Sequence, residues 1–265
     1  MSEKIIGEEV KEFSKYLMKA ERDQKAITPL TEIKPDITVN EAYLVQLETV
    51  TKKVDYGSTI VGKKIGLTSI AMQELLGVGE PDYGHLLDYM AVDHKGTITS
   101  NQVIQPRVEG EIAFILNKEL KGPNVTVEQV LQATDYVLPA LEIVDSRIAD
   151  WKIKLEDTIA DNASSGLFVL GDTPISVEKV DLPQLNMKLY RNGELMNTGK
   201  GSAALEDPAY CVAWLANKLA DYNLSLEPGE VILSGALSAA IFAQPGDEFT
   251  AEIDVLGSVS VKFGR

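Results

Sequence analysis

Two apolar runs, QPRVEGEIAFIL and VLPALEIVDSR, carry three glutamates where glutamate is unfavourable: Glu109 and Glu111 in the first, Glu142 in the second. In an extended strand, residues two apart project to the same face. Glu109 and Glu111 therefore read as adjacent carboxylates, with Ala113 and Ile115 continuing their face and Val108, Ile112 and Phe114 on the other. An E-x-E pair is common on a solvent face, but a strand apolar on both faces reads as buried. Glu142 shares its face with Leu138, Ala140 and Val144, which again predicts burial. Buried carboxylates lose hydration and repel one another, so they need a neutraliser. Three carboxylates without Cys or His suit a hard divalent cation, Mg²⁺ or Mn²⁺, with positions left for water or substrate.

The rest of the composition narrows the alternatives. The single Cys211 excludes an intrachain disulfide and a multi-cysteine zinc site, and two histidines, His85 and His94, cannot make a three-histidine centre. Against 25 basic residues stand 40 acidic ones, a formal charge of -15. That balance argues against nucleic-acid binding, which needs clustered Lys and Arg. The N-terminus, MSEKIIGEEVKEFSKYL, has no apolar signal core, and no run approaches a membrane span. The expectation is a soluble, cytoplasmic protein with no membrane partner.

Along the chain, Ile6, Val10, Phe13 and Leu17 have helical spacing, so the first twenty or so residues predict an amphipathic helix. After a stretch containing Pro29 and Pro35, Thr38 with Glu41 predicts a capping box for a second helix ending near Gly57. TIVGKKIGL reads as a strand, SIAMQELLG as a short helix stopped at Gly77, and EPDYG as a turn. Thr126 with Gln129 caps another helix, and Tyr136 to Val144 resumes as a strand. MKLYRNGELMN predicts a hairpin around Asn192-Gly193. Pro208 to Asp221 reads as a helix with Val212, Leu215 and Leu219 inward, and three strands follow to the C-terminus. Helices come first and strands later, without βαβ alternation, which predicts an α+β, mostly-β catalytic core. The boundaries are an N-terminal helical region over 1–58 and a catalytic domain over 59–265.

Other candidates carry a structural and a chemical reading side by side. Lys63 and Lys64 point to opposite faces of their strand; both are surface groups on an edge strand, or one looks inward and handles charge or a proton. Asp82 is a turn former by type, and Asp161-Asn162 a loop with side-chain-to-backbone bonds. Arg107 lies at the surface or pairs with the glutamates. Ser234-Gly235, at a strand end, offers a hydroxyl and backbone N–H to an anion but lacks the frame of a nucleophile elbow. Tyr83 and His85 read as packing or loop residues, and the chain carries no context for a Ser-His-Asp triad.

KKIGLTS, PDYGHL, QPRVEGEIAF, VLPALEIVDSRIADW, DTIADNASSG, ILSGAL and GSVSVKF occur in this order from about residue 60 onward. Together they resemble the hydratase/decarboxylase family of the aromatic meta-cleavage pathway, in the fumarylacetoacetase-like superfamily. The resemblance implies a fumarylacetoacetase-like fold with an N-terminal helical region. It implies Glu109, Glu111 and Glu142 as Mg²⁺ or Mn²⁺ ligands and Lys64, Asp82 and Asp161 as catalytic or polar pocket groups. Ser165, Ser234 and Gly235 fall beside the substrate carboxylate. The family usually has Ala where this chain has Gly110, and often Thr where it has Ser234. The activity implied is hydration of 2-hydroxypenta-2,4-dienoate, with decarboxylation of 2-oxo-3-hexenedioate (4-oxalocrotonate) next and hydration of longer 2-oxo dicarboxylates third. A reading of another class is an inactive structural partner of a sister enzyme. The resemblance also implies a homo-oligomer and association with a sister hydratase or decarboxylase.

Overall fold

The computed structural model describes residues 7–69, 73–74 and 77–264. Helix α1 (Glu8–Asp23) buries Val10, Phe13 and Leu17, each contributing roughly 1.5–3 kcal/mol; Ile6, which extends the same stripe, lies outside the described residues. A single turn, α2 (Leu30–Ile33), leads to α3 (Val39–Asp55). Thr38 and Glu41 form the expected capping box, an arrangement worth about 1 kcal/mol. Gln46 of α3 donates to Tyr83 O at 2.9 Å and to Ile159 O at 2.8 Å, so the N-terminal layer is bolted to the body behind it.

The body begins with β1 (Ile60–Gly66) and β2 (Asp82–Leu87). Between them, the short helix expected over SIAMQELLG falls largely on residues 70–72 and 75–76, outside the described residues. EPDYG is not a turn: Asp82, Tyr83 and Gly84 open a wholly buried strand. Gly84 is required by packing, since a Cβ there would stand 2.3 Å from Asn162 O. Short strands β3 (Ala91–Val92) and β4 (Thr97–Ile98) precede the long β5 (Arg107–Leu116). Helix α4 (Val127–Ala133), capped by Thr126 and Gln129, runs into β6 (Thr134–Val144). Then come α5 (Leu155–Ala160), β7 (Ser165–Leu170), the hairpin β8 (Asn186–Arg191) and β9 (Glu194–Lys200), and α6 (Pro208–Leu219). At the hairpin tip, Asn192 and Gly193 have φ of 55° and 80°, the two positive values a type I′ turn needs. Strands β10 (Val231–Leu233), β11 (Ile241–Phe242), β12 (Glu248–Ile253) and β13 (Gly257–Phe263) complete the chain.

The strands form two sheets. One runs β2-β1-β10-β5-β6-β7-β3 with β11 added to β5, and the other β4-β13-β12-β8-β9. The second sheet packs on β5 and β6, and Gly110 of β5 is the close-approach point. A Cβ there would meet Met187 Sδ at 3.1 Å and Ala251 Cβ at 3.4 Å. Strand β1 is not an edge strand, because β2 and β10 flank it. Its lysines are consequently both buried, Lys63 at 4% and Lys64 at 3% exposure, on opposite faces. Lys63 Nζ is held by both oxygens of Glu230 at 2.6 and 2.7 Å. Gly62 beside it is forced, since a Cβ would lie 1.9 Å from Val231 O.

Candidate active site

The central ladder of the first sheet sets the site. Strands β5 and β6 pair antiparallel with Glu109 opposite Glu142 and Glu111 opposite Ala140, so all three glutamates share one face. One carboxylate oxygen from each lies within 4.8 Å of the others. Glu111 and Glu142 are buried, while Glu109 keeps partial solvent contact at the mouth. Glu111 Oε2 accepts a 2.8 Å bond from Gly235 N–H, so this backbone donor orients a glutamate instead of standing free for an anion. Glu111 Oε1 and both oxygens of Glu142 have no hydrogen-bond partner. Burial and the repulsion of Glu142 raise Glu109 to about 7, and burial with Glu142 and Glu109 raises Glu111 well above the usual range.

Lys64 joins this face through register. It lies opposite Leu233, which lies opposite Ala113, two residues along β5 from Glu111. Its Nζ is 3.1 Å from Glu142 Oε1, an ion pair without hydrogen-bond alignment. Burial opposes the charge of Lys64, but Glu142 and Asp82 outweigh it and hold the ammonium above its ordinary pKa. Asp82 sits opposite Gly66 and occupies the space a side chain would need: a Cβ at Gly66 would lie 2.2 Å from Asp82 Oδ1 and 3.3 Å from Lys64 Nζ. Burial raises Asp82 despite Lys64, and its Oδ1 has no hydrogen-bond partner.

The remaining candidates separate. Asp161 is engaged by Arg147, whose N–H donates to Oδ2 at 2.8 Å and whose Nε donates to Oδ1. Arg147 thus ties Asp161 down through both oxygens, while burial outweighs Arg147 and raises Asp161 to about 6. Ser165 Oγ is likewise committed, donating to Asn162 O at 2.6 Å. Ser234 Oγ is buried without a partner. Arg107 stacks its guanidinium 4.3 Å from the Trp151 ring, half-buried beside Glu109. Tyr83 stacks on Tyr43, and His85, pushed down to about 3 by burial and Lys63, stays neutral in the core. His85, Lys63 and Glu230 line an open cavity of about 630 Å³ on the far face of β1, away from the glutamates.

Sequence reasoning did not single out Arg147, Glu230 or Gly66. The partners of the first two lie 14 and 167 residues away, beyond any local pattern. An arginine within the apolar context of VDSRIADW was the one available signal for Arg147.

The fumarylacetoacetate (FAA) hydrolase C-terminal family matches residues 86–263. The chain belongs to this family. It is 46% identical over 252 residues to a 2-keto-4-pentenoate hydratase of Paraburkholderia xenovorans (strain LB400), covering 95% of this chain and 94% of that one. A 2-hydroxypent-2,4-dienoate hydratase of Pseudomonas putida is 48% identical over 217 residues, covering 82% and 98%. Among solved structures, 4-oxalocrotonate decarboxylase from Pseudomonas putida G7, complexed with magnesium and adipate, superposes with a TM-score of 0.94 over 97% of each chain at 38% identity. The mixed α+β architecture with two sheets is thus the fold of this family. The donor set suits a hard cation: oxygens only, mutually close, and with three buried oxygens that make no hydrogen bond. Among the described residues, no helix is long and apolar enough to cross a membrane.

Proposed function

We propose that the protein is a metal-dependent hydro-lyase that adds water to 2-hydroxypenta-2,4-dienoate, giving 4-hydroxy-2-oxopentanoate in the meta-cleavage degradation of aromatics. The observation that carries this is the convergence of Glu109, Glu111 and Glu142 beside Lys64, in a chain 46% identical to a 2-keto-4-pentenoate hydratase. Glu109, Glu111 and Glu142 would hold Mg²⁺ or Mn²⁺, which when bound supplies Lewis-acid polarisation of a 2-oxo acid.

The reaction moves the dienol proton to the far end of the chain and then adds water at C4, so a proton must be held and released nearby. Lys64 Nζ, kept charged by Glu142 and Asp82, is the donor facing the cluster. Asp82, its pKa raised by burial, is the second group to exchange this proton, through Oδ1, the oxygen without another partner. Ser234 Oγ, buried just past β10 and also without a partner, would donate to the substrate carboxylate. Burial of Lys64, Asp82, Glu111, Glu142 and Ser234 limits bulk water and strengthens each of these interactions.

The second reading, decarboxylation of 2-oxo-3-hexenedioate, is favoured by the close match to the 4-oxalocrotonate decarboxylase structure. Both substrates offered with Mg²⁺ or Mn²⁺ decide between them. Loss of ultraviolet absorbance from 2-hydroxypenta-2,4-dienoate without CO₂ is the expected result, and CO₂ from the hexenedioate would replace hydratase with decarboxylase. Turnover of neither would leave the structural-partner reading. The same proposal takes residues 1–58 as a helical region on a catalytic domain of 59–265, in a cytoplasmic homo-oligomer able to associate with a sister enzyme. Light scattering of the pure protein, alone and mixed with such an enzyme, tests the assembly.

A further inference from the structure

The turn Asn162–Ser164 is the most constrained backbone near Asp82. Its residues have φ of 56°, 52° and 51°, a left-handed run without glycine, and all three are buried. Such strain persists only where the surroundings fix it. Asn162 supplies the fixing contacts. His85 N–H donates to its Oδ1 at 2.8 Å, and its Nδ2 donates to His85 O at 2.8 Å.

Among the described residues, strand β2 is the end strand of its sheet and has a ladder partner only in β1. The Asn162 carboxamide therefore takes the place of a neighbouring strand at His85, satisfying both backbone groups on the open side. Ser165 Oγ fixes Asn162 O from behind, and Gly84 leaves room for that carbonyl. Arg147 holds the preceding residue, Asp161, so the turn cannot swing away from β2. Asp82 is the first residue of β2, and its ladder partner, Gly66, is the last of β1. Among the described residues, the ladder ends at this pair.

We propose that Asn162 is a positioning residue for the proton-handling step. By clamping the outer edge of β2 at His85, it keeps Asp82 aligned with Gly66, on the face of the sheet that carries Lys64. This rests on the reading of Asp82 as a proton-exchanging group.

The test is a double-mutant cycle in the full-length protein at saturating Mg²⁺ with 2-hydroxypenta-2,4-dienoate. Asn162→Gly keeps the left-handed freedom and removes the clamp; Asn162→Asp keeps the acceptor for His85 N–H and loses the donor. Asn162→Gly is expected to lower kcat about 10–100-fold with KM and Mg²⁺ affinity within about twofold, and Asn162→Asp to fall between it and wild type. In an Asp82→Asn background the further loss should be less than about twofold. An equal loss in both backgrounds, unchanged kcat, or a loss confined to KM or Mg²⁺ affinity would overturn the Asn162 role. Wild-type kcat for Asp82→Asn alone would instead overturn the Asp82 reading. Thermal unfolding checks folding of each variant, and Asn162→Asp carries the comparison if Asn162→Gly does not fold.

Discussion

Glu109 and Glu142 face each other directly across the β5–β6 ladder, two like charges in register at the centre of a buried sheet. Directly opposed like charges destabilise a strand pair, so this arrangement weakens the fold unless a cation sits between them. Glu109→Gln should therefore raise the melting temperature of metal-free protein while weakening Mg²⁺ binding by at least about 100-fold and abolishing turnover. Calorimetric titration and thermal unfolding read both effects. A variant that binds Mg²⁺ like wild type would remove Glu109 from the ligand set.

Stability and metal binding should depend on pH in opposite senses. Glu109 titrates at about 7 in the folded chain, against roughly 4.3 when unfolded. Between those values the folded state binds more protons than the unfolded one, so this group's contribution makes metal-free protein lose stability as pH rises, by up to roughly 4 kcal/mol. Protons compete with the cation over the same interval, so Mg²⁺ affinity should increase as pH rises through 7. Stabilisation by saturating Mg²⁺ is accordingly expected to be larger at pH 8 than at pH 6, measured as the shift in melting temperature.

Lys64→Met keeps the length of the side chain and removes its charge. It leaves Asp82 and Glu142 without their buried counter-ion, which should cost metal-free protein about 3–5 kcal/mol. Turnover at saturating Mg²⁺ should fall about 10²–10⁴-fold. Unchanged kcat would assign Lys64 to charge balance alone.

Gly66→Ala puts a methyl group where Asp82 Oδ1 now lies. The carboxyl must leave its present place, and kcat should drop by about 100-fold with little change in Mg²⁺ affinity. Wild-type kinetics would show that the placement of Asp82 is unimportant.

What the sequence made legible was local. The capping boxes at Thr38 and Thr126 and the Asn192-Gly193 turn are set by residues within three or four positions of each other, and all are present. The shared face of Glu109 and Glu111 follows from the two-residue period, and the strand register adds Glu142. The misreadings come from long-range packing. Pro81, Asp82 and Gly84 resemble a turn, yet Gly84 is there because Asn162 crosses over it. Lys63 passes for a surface lysine until Glu230, remote in sequence, closes on it. Arg147, fourteen residues from Asp161, binds both its oxygens, a contact that no local pattern announces.

Gly62 gives the adjacent lysines of β1 their separate identities. Its slot, pressed against Val231 O, admits no Cβ, and every neighbouring residue of the strand has one. Gly62 therefore fixes the strand against a one-place slip in either direction. A slip of one place would offer Lys63 to Glu142 and turn Lys64 away from the glutamates, and the crowded slot forbids it.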